Sequence, residues 1–296
     1  MFTGIFIDSF AISPYVERAE SKLIWSIANS SSPFASPNIL SELTYENIKQ
    51  EGSGLQLSYL KVVDDVWAFK VEGDYSSSSI KSGDSQDSDY LFDDRQGEFS
   101  RSYADIEDDG AERRSLELGV KTRWFKSDSE GHYVSVMLGY QQQSIDITVT
   151  NGEQIIPEEL NGEIIEGLNT TYNSEFSSKF LAVSTEHAFA WGVIGLRYEK
   201  HDVDFTAEAD WNLRTDFQHP VSFEHEGDGE GRVLTLGYVY KFDFNLDVFF
   251  DITHREYEII DGDDVTFFSD GGVGHTRLNR LVYKSNNARL GIRVVF

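Results

Sequence analysis

Two aspartates one residue apart, Asp87 and Asp89, stand in the most acidic stretch of the chain, Ser76 to Glu112. In an extended segment residues i and i+2 point the same way, which brings the two carboxylates together. So placed, they repel; one holds a proton, or both position a water for attack. Carboxylates solvated on a loop are the plain alternative. A second stretch holds Asp210, Trp211, Asp216, His219, Glu224, His225, Glu226, Asp228 and Glu230. A histidine beside carboxylates can act as a general base, although His219 precedes Pro220 and would equally cap a turn. Asp105, Glu107, Asp108 and Asp109 precede Gly110 and offer oxygen ligands for calcium, as do Asp261, Asp263 and Asp264. Neither group has the spacing of a complete calcium loop. A zinc site through His219, His225 and a carboxylate has no recognised spacing.

Composition narrows the chemistry. Across 296 residues, 51 Asp plus Glu against 25 Lys plus Arg give a formal charge of −26. Nucleic acid is thereby excluded as a natural partner, while cations and basic peptides are favoured. There are no cysteines, so disulfides, thiolate metal sites and cysteine nucleophiles are ruled out. Met1-Phe2-Thr3-Gly4 lacks the features of a secretory signal although the rest looks exported, so Met1 reads as a start placed before a mature chain.

The elements that must carry these residues are strands. Ala288, Leu290, Ile292, Val294 and Phe296 alternate with Asn287, Arg289, Gly291, Arg293 and Val295. That pattern puts one face in lipid and the other in a polar interior, and a chain ending on Phe after such a strand resembles the assembly signal of bacterial outer-membrane barrels. The alternation recurs from Leu234 to Phe242, from Leu246 to Ile252, and around Leu55, Trp67, Leu116, Val134 and Ile194. Short connections at Asp64-Asp65, Ser127 to Gly131, Ala190-Trp191 and Asp243 to Asn245 alternate with long ones near 29–39, 77–112, 151–174, 213–231 and 260–279. Four short turns and five long loops predict a single-domain, all-β, up-and-down antiparallel barrel of about ten strands over residues 1–296, with 1–20 as a lead-in. Both termini then lie at the short-turn end. Barrels of this class place short turns in the periplasm and long loops outside the cell. Trp25, Tyr59, Trp67, Tyr75, Trp124, Tyr140, Trp191, Tyr198 and Trp211 suit the interfacial girdles. Lys70, Glu72, Glu117, Lys121, Arg123, Arg197 and Glu199 would face inward and pair. At this strand number side chains fill much of the bore, which disfavours a general diffusion pore.

With strand and loop order laid out, residues 20–296 resemble the omptin family of outer-membrane proteases, which have ten strands and an extracellular active-site groove. Ser41-Glu42-Leu43-Thr44-Tyr45 is similar to the omptin segment at the start of the second strand, and Asp87-Ser88-Asp89-Tyr90 resembles the Asp-x-Asp-aromatic motif of one catalytic pair. Omptins carry an Asp-x-His pair a few residues after a Trp on the opposing loop. The comparable segment here, Trp211 to His219, reads Asp216-Phe217-Gln218-His219, with one residue more between acid and histidine. Gln86 to Tyr90, Glu98 to Ser102, Ala209 to Arg214 and His219 to His225 look closer still to an omptin-like family labelled protochlamydia outer membrane protein.

Two readings remain open, and a narrow channel is a third. One is a non-catalytic omptin-fold protein of the bacterial outer membrane, favoured because the second catalytic pair departs from the motif. Its acidic loops would bind divalent cations, lipopolysaccharide or a partner. The other is a surface endopeptidase cleaving at basic residues. As the resemblance implies, Asp87 and Asp89 would position the water and His219, oriented by Asp216, would act as base. Either needs outer-membrane lipid and the barrel assembly machinery, and neither requires a cofactor.

Overall fold

The computed structural model describes residues 8–107, 109–126, 131–242 and 245–296. Twelve strands run in antiparallel pairs: β1 Ser9–Ile27, β2 Ser41–Val62, β3 Trp67–Phe92, β4 Gln96–Ile106, β5 Gly110–Lys126 and β6 Gly131–Ile156, then β7 Glu163–Ile165, β8 Thr170–Phe189, β9 Gly192–Asp210, β10 Phe223–Lys241, β11 Leu246–Phe267 and β12 Val273–Val295. Ten of them close a ring, because β1 pairs with β2 on one side and β12 on the other, and β3 pairs with β5, β5 with β6, and β6 with β8. The other two decorate it. β4 folds back on the far end of β3 and bridges to β6, and β7 adds to the end of β6. The expected ten-strand barrel is therefore the ring.

A closed ring leaves no unpaired edge, which is the condition for strands to cross a bilayer. Outward residues over the short-turn half are apolar and exposed, among them Leu55, Leu57, Phe69, Leu116, Leu118, Leu138, Leu196 and Leu236. Tyr59, Trp67, Tyr75, Trp124, Tyr140, Trp191 and Tyr198 are exposed with them. Trp25 and Trp211 do not join them: Trp25 is 3% exposed in the lumen and Trp211 packs on the same interior cluster. Both lie on the far side of the belt, where an aromatic gains more by facing inward than by facing water.

The expected lead-in is also strand. Ser9 to Glu20 pair in register with β2, and Ala11, Ile12 and Tyr15 to Glu20 with β12. Ser13, Tyr15, Glu17 and Ser21 line the interior, so small and polar residues conceal the alternation. Likewise 77–112, 151–174 and 260–279 are mostly strand, and 213–231 is strand from Phe223 onward. Beyond the bilayer both faces of a strand can be polar, and no lipid imposes an apolar period. The short turns at 127–131 and 243–245 fall largely outside the described residues.

Two layers fill the interior. Toward the short-turn end, lumen charges pair as the alternation predicts: Lys70 with Glu72 at 2.7 Å, Lys121 with Glu186 at 2.6 Å, and Arg197 with Glu117 and Glu199 at 2.7 and 2.6 Å. Arg123 instead reaches Asp65 in a short turn, at 3.7 Å. The other groups, without Arg123 and Asp65, line a cavity of about 670 Å³. Above it the bore is filled. Phe176, Phe205, Tyr257 and Tyr283, from four strands, meet with ring centroids 4.9 to 6.0 Å apart. None is more than 1% exposed. Each such ring contributes about 1.5–3 kcal/mol by leaving water, and together they floor everything on the long-loop side.

Candidate functional site

Above this plug a second aromatic group spans the barrel. The Trp25 ring stacks on Tyr172 at 5.9 Å and meets Phe223 at 5.9 Å, Trp211 at 6.3 Å and His225 at 4.8 Å, while Tyr45 lies 5.6 Å from Tyr172. These residues come from β1, β2, β8 and β10, with Trp211 from the segment after β9, and form the floor of a cleft at the long-loop end. The β2–β3 register sets Ser85 opposite inward-facing Tyr45 and Asp87 opposite inward-facing Leu43. Period two then aims Asp87 and Asp89 into the cleft together. Asp87 lies twelve residues beyond Tyr75, or about 40 Å along the strand, well clear of the apolar belt.

The acid pair is under electrostatic stress. Burial, and then the charge of Asp89, push the Asp87 carboxyl up to about 7, against hydrogen bonding from Ser41 and the positive field of Arg214. Ser41 Oγ donates to Asp87 Oδ1 at 3.3 Å. Asp89 is raised too, again chiefly by burial, with Ser41, Arg214 and Ser100 opposing. As pH falls through about 7 the Asp87 carboxyl takes up a proton that relieves the repulsion.

The facing wall is the 211–222 segment between β9 and β10. Main-chain and side-chain bonds hold it in place. Ser222 Oγ accepts from the Trp211 N–H at 2.9 Å and donates to the Gln218 carbonyl at 3.1 Å, and the Gln218 and Ser269 N–H groups tie it to the β11–β12 turn. Arg214 forks onto Asp216, Nε to Oδ1 at 2.9 Å and Nη2 to Oδ2 at 2.8 Å, and lies 4.1 Å over the Phe217 ring. The Arg214 guanidinium is held charged by Asp216 first, and also by Asp89 and Asp87. Asp216 in turn is held below the usual carboxylate range by Arg214.

His219 therefore lacks the partner expected for it. Its Nδ1 lies 2.6 Å from Oδ1 of Asp210, at the end of β9, and Asp216 is engaged by Arg214. The structure brings Asp87 to Asp89, and His219 to Asp210, but does not make a pair of Asp216 and His219. His225 is elsewhere, part of the floor itself with its side chain fully buried, Nδ1 2.9 Å from Tyr172 Oη and Nε2 3.1 Å from Asp264 Oδ1. It shares no zinc site with His219.

Of the residues offered for calcium, Asp105, Asp109 and Asp264 are engaged by neighbouring side chains. Asp105 accepts from Asn151 at 3.2 Å and Asp109 from Thr148 at 2.8 Å. Asp264 turns inward to His225 and Thr276. Asp108 lies outside the described residues. Among the described residues no three His, Asp or Glu groups converge as metal ligands.

Sequence reasoning missed Arg214 and the Asp210–His219 pairing. The one available signal was distance along the chain, since residues at the two ends of a loop that returns to the neighbouring strand lie close together.

Comparison with known proteins agrees with this architecture. The solved structure of the outer membrane protease OmpT from Escherichia coli is similar with a TM-score of 0.71 at 10% identity, covering 97% of each chain. The outer membrane protein OprG from Pseudomonas aeruginosa aligns at a TM-score of 0.34 and 9% identity, covering 98% of this chain and 96% of the other. No curated protein sequence matches the chain. The family model described as Protochlamydia outer membrane protein matches residues 18–296. An outer-membrane barrel in fold and in sequence, the chain belongs to the Protochlamydia outer membrane protein family.

Proposed function

We propose that this outer-membrane barrel presents its long-loop end to the cell exterior, as barrels of this class do, and there binds cationic side chains of peptides in the acidic cleft without hydrolysing them. One observation carries the reading: the group whose positive field reaches Asp87 and Asp89 is the Arg214 guanidinium. A guanidinium is always charged and cannot act as a base. Arg214 is thus a resident counter-ion for a pocket suited to Lys or Arg, and Asp216 holds it in place. Lipid and lipopolysaccharide around the belt, and the assembly machinery reading the last strand, are the expected partners within the membrane.

A second reading rests on the 2.6 Å contact between His219 and Asp210. In it Asp87 and Asp89 hold a water, His219 oriented by Asp210 takes its proton, and a basic peptide is cleaved. OmpT, similar in fold, is an outer membrane protease. Refolded protein with lipopolysaccharide and a quenched peptide library rich in Lys and Arg separates the two. The binding reading expects saturable peptide binding with no cleavage. Cleavage lost in Asp87→Ala, Asp89→Ala, His219→Ala and Asp210→Ala but kept in Asp216→Ala would replace it with the hydrolytic one. A conducting channel is disfavoured by the plug, and wild-type protein in planar bilayers should show no conductance steps.

A further inference from the structure

The cavity at the short-turn end is lined by charges that nearly all have partners. Arg113 meets Glu17 and Asp74, Arg289 meets Asp74 and Asp251, and Arg293 meets Asp247 at 2.6 Å. Arg255 differs. It is 6% exposed, and among the described residues no carboxylate lies within 4.0 Å of its nitrogens. Its Nη2 donates to Gln141 Oε1 at a long 3.5 Å, and its Nε is buried with no hydrogen-bond partner. Gln141 spends its amide on Tyr257 Oη at 2.7 Å, so it cannot turn to offer Arg255 more.

Position adds to this. Along β11 the cavity is lined by Asp247, Asp251, Thr253 and finally Arg255. The next inward residue, Tyr257, belongs to the plug and is fully buried. Arg255 therefore stands at the blind end of a wet vestibule, the deepest point reached by a solute entering from the short-turn mouth. A buried cation without a counter-charge is strongly unfavourable, and neighbouring carboxylates cannot relieve it because each is already engaged. What remains is a counter-ion from solution.

We propose that Arg255 forms an anion-binding site at the closed end of the vestibule, open to a small halide, carboxylate or phosphate ion that the guanidinium fork would bind through its free N–H groups. The site is separate from the cleft, on the opposite side of the aromatic plug.

The test uses the whole refolded barrel in a nonionic detergent. Crystals soaked in bromide should give an anomalous peak within hydrogen-bond reach of the Arg255 nitrogens, a result that needs no variant. In solution, excess chloride-35 line broadening by wild type should fall at least about tenfold in Arg255→Gln, as expected for loss of a hydrogen bond to a charged group. It should be unchanged in Arg18→Gln on the outer face. Displacement of chloride by formate or by phosphate would identify a carboxylate or a phosphate as the better occupant, each still an anion on Arg255. No bromide peak at Arg255, or equal broadening in wild type and Arg255→Gln, would overturn the proposal.

Discussion

The two ends of the barrel interior use the same ionisable side chains to opposite effect. In the vestibule each of these carboxylates has a cation: Glu117 and Glu199 flank Arg197, Glu72 lies against Glu117 but is paired with Lys70, and Asp247 faces Arg293. In the cleft, carboxylate sits beside carboxylate, and the nearest cation, Arg214, is already engaged with Asp216. Opposite charges side by side hold a barrel together. Like charges side by side cost stability unless a proton or a counter-ion offsets them.

The comparison can be broken first where the effect is largest. Arg197→Ala removes the cation between two buried lumen carboxylates, leaving Glu199 with only His201 among the described residues, and should destabilise the refolded barrel by about 3–5 kcal/mol in urea titration. A loss under about 1 kcal/mol would mean that water, rather than the ion pairs, satisfies the vestibule. Phe176→Ala removes the ring that touches three others in the plug and should cost about 3–5 kcal/mol, with conductance steps appearing in planar bilayers. A variant as stable and as silent as wild type would show that the plug is not the seal.

The acid pair should respond with the opposite sign to an ion pair. The Asp87 carboxyl is raised from 3.8 to about 7 on folding. The folded state then binds more protons than the unfolded chain between those values, so the Asp87 contribution to stability is lost as pH rises through that window. Asp87→Asn should raise the melting temperature at pH 8 and leave it unchanged near pH 3. Equal effects at both pH values would remove the argument for a strained pair. The smallest effect is expected outside the barrel, where Arg18 and Glu51 pair at 2.9 Å with 80% and 51% of their side chains exposed. Arg18→Ala should cost no more than about 0.5 kcal/mol, read from the same titration.

How much could be read beforehand follows from where lipid acts. Leu116 and Leu118 on one face, with Glu117 between them, announce a membrane strand because the bilayer demands one face and the lumen the other. Ser76 to Gln86 announce nothing, since water contacts that part of the strand and its residues are polar on both faces. Ser9 to Glu20 were hidden differently: they pair with the membrane part of the last strand, but Ser13 and Glu17 on the lumen face conceal the alternation. Asp87 and Asp89 were legible because period two alone brings them together. The partner of His219 was not: Asp210 lies nine positions away, and only the folded path of the 211–222 segment, pinned by Ser222, sets them 2.6 Å apart. Arg214 was likewise invisible as a neighbour of Asp87, since no local pattern links β3 to that segment.

The most direct test of the cleft is the affinity of a fluorescent oligo-arginine peptide for the refolded barrel, measured by anisotropy at low and moderate salt. If Arg214 is a resident counter-ion that a basic ligand displaces, Arg214→Gln should bind about tenfold more tightly than wild type, and Asp87→Asn with Asp89→Asn about tenfold or more weakly. Binding by Arg214→Gln that equals or falls below wild type, or binding indifferent to both aspartates, would contradict the account.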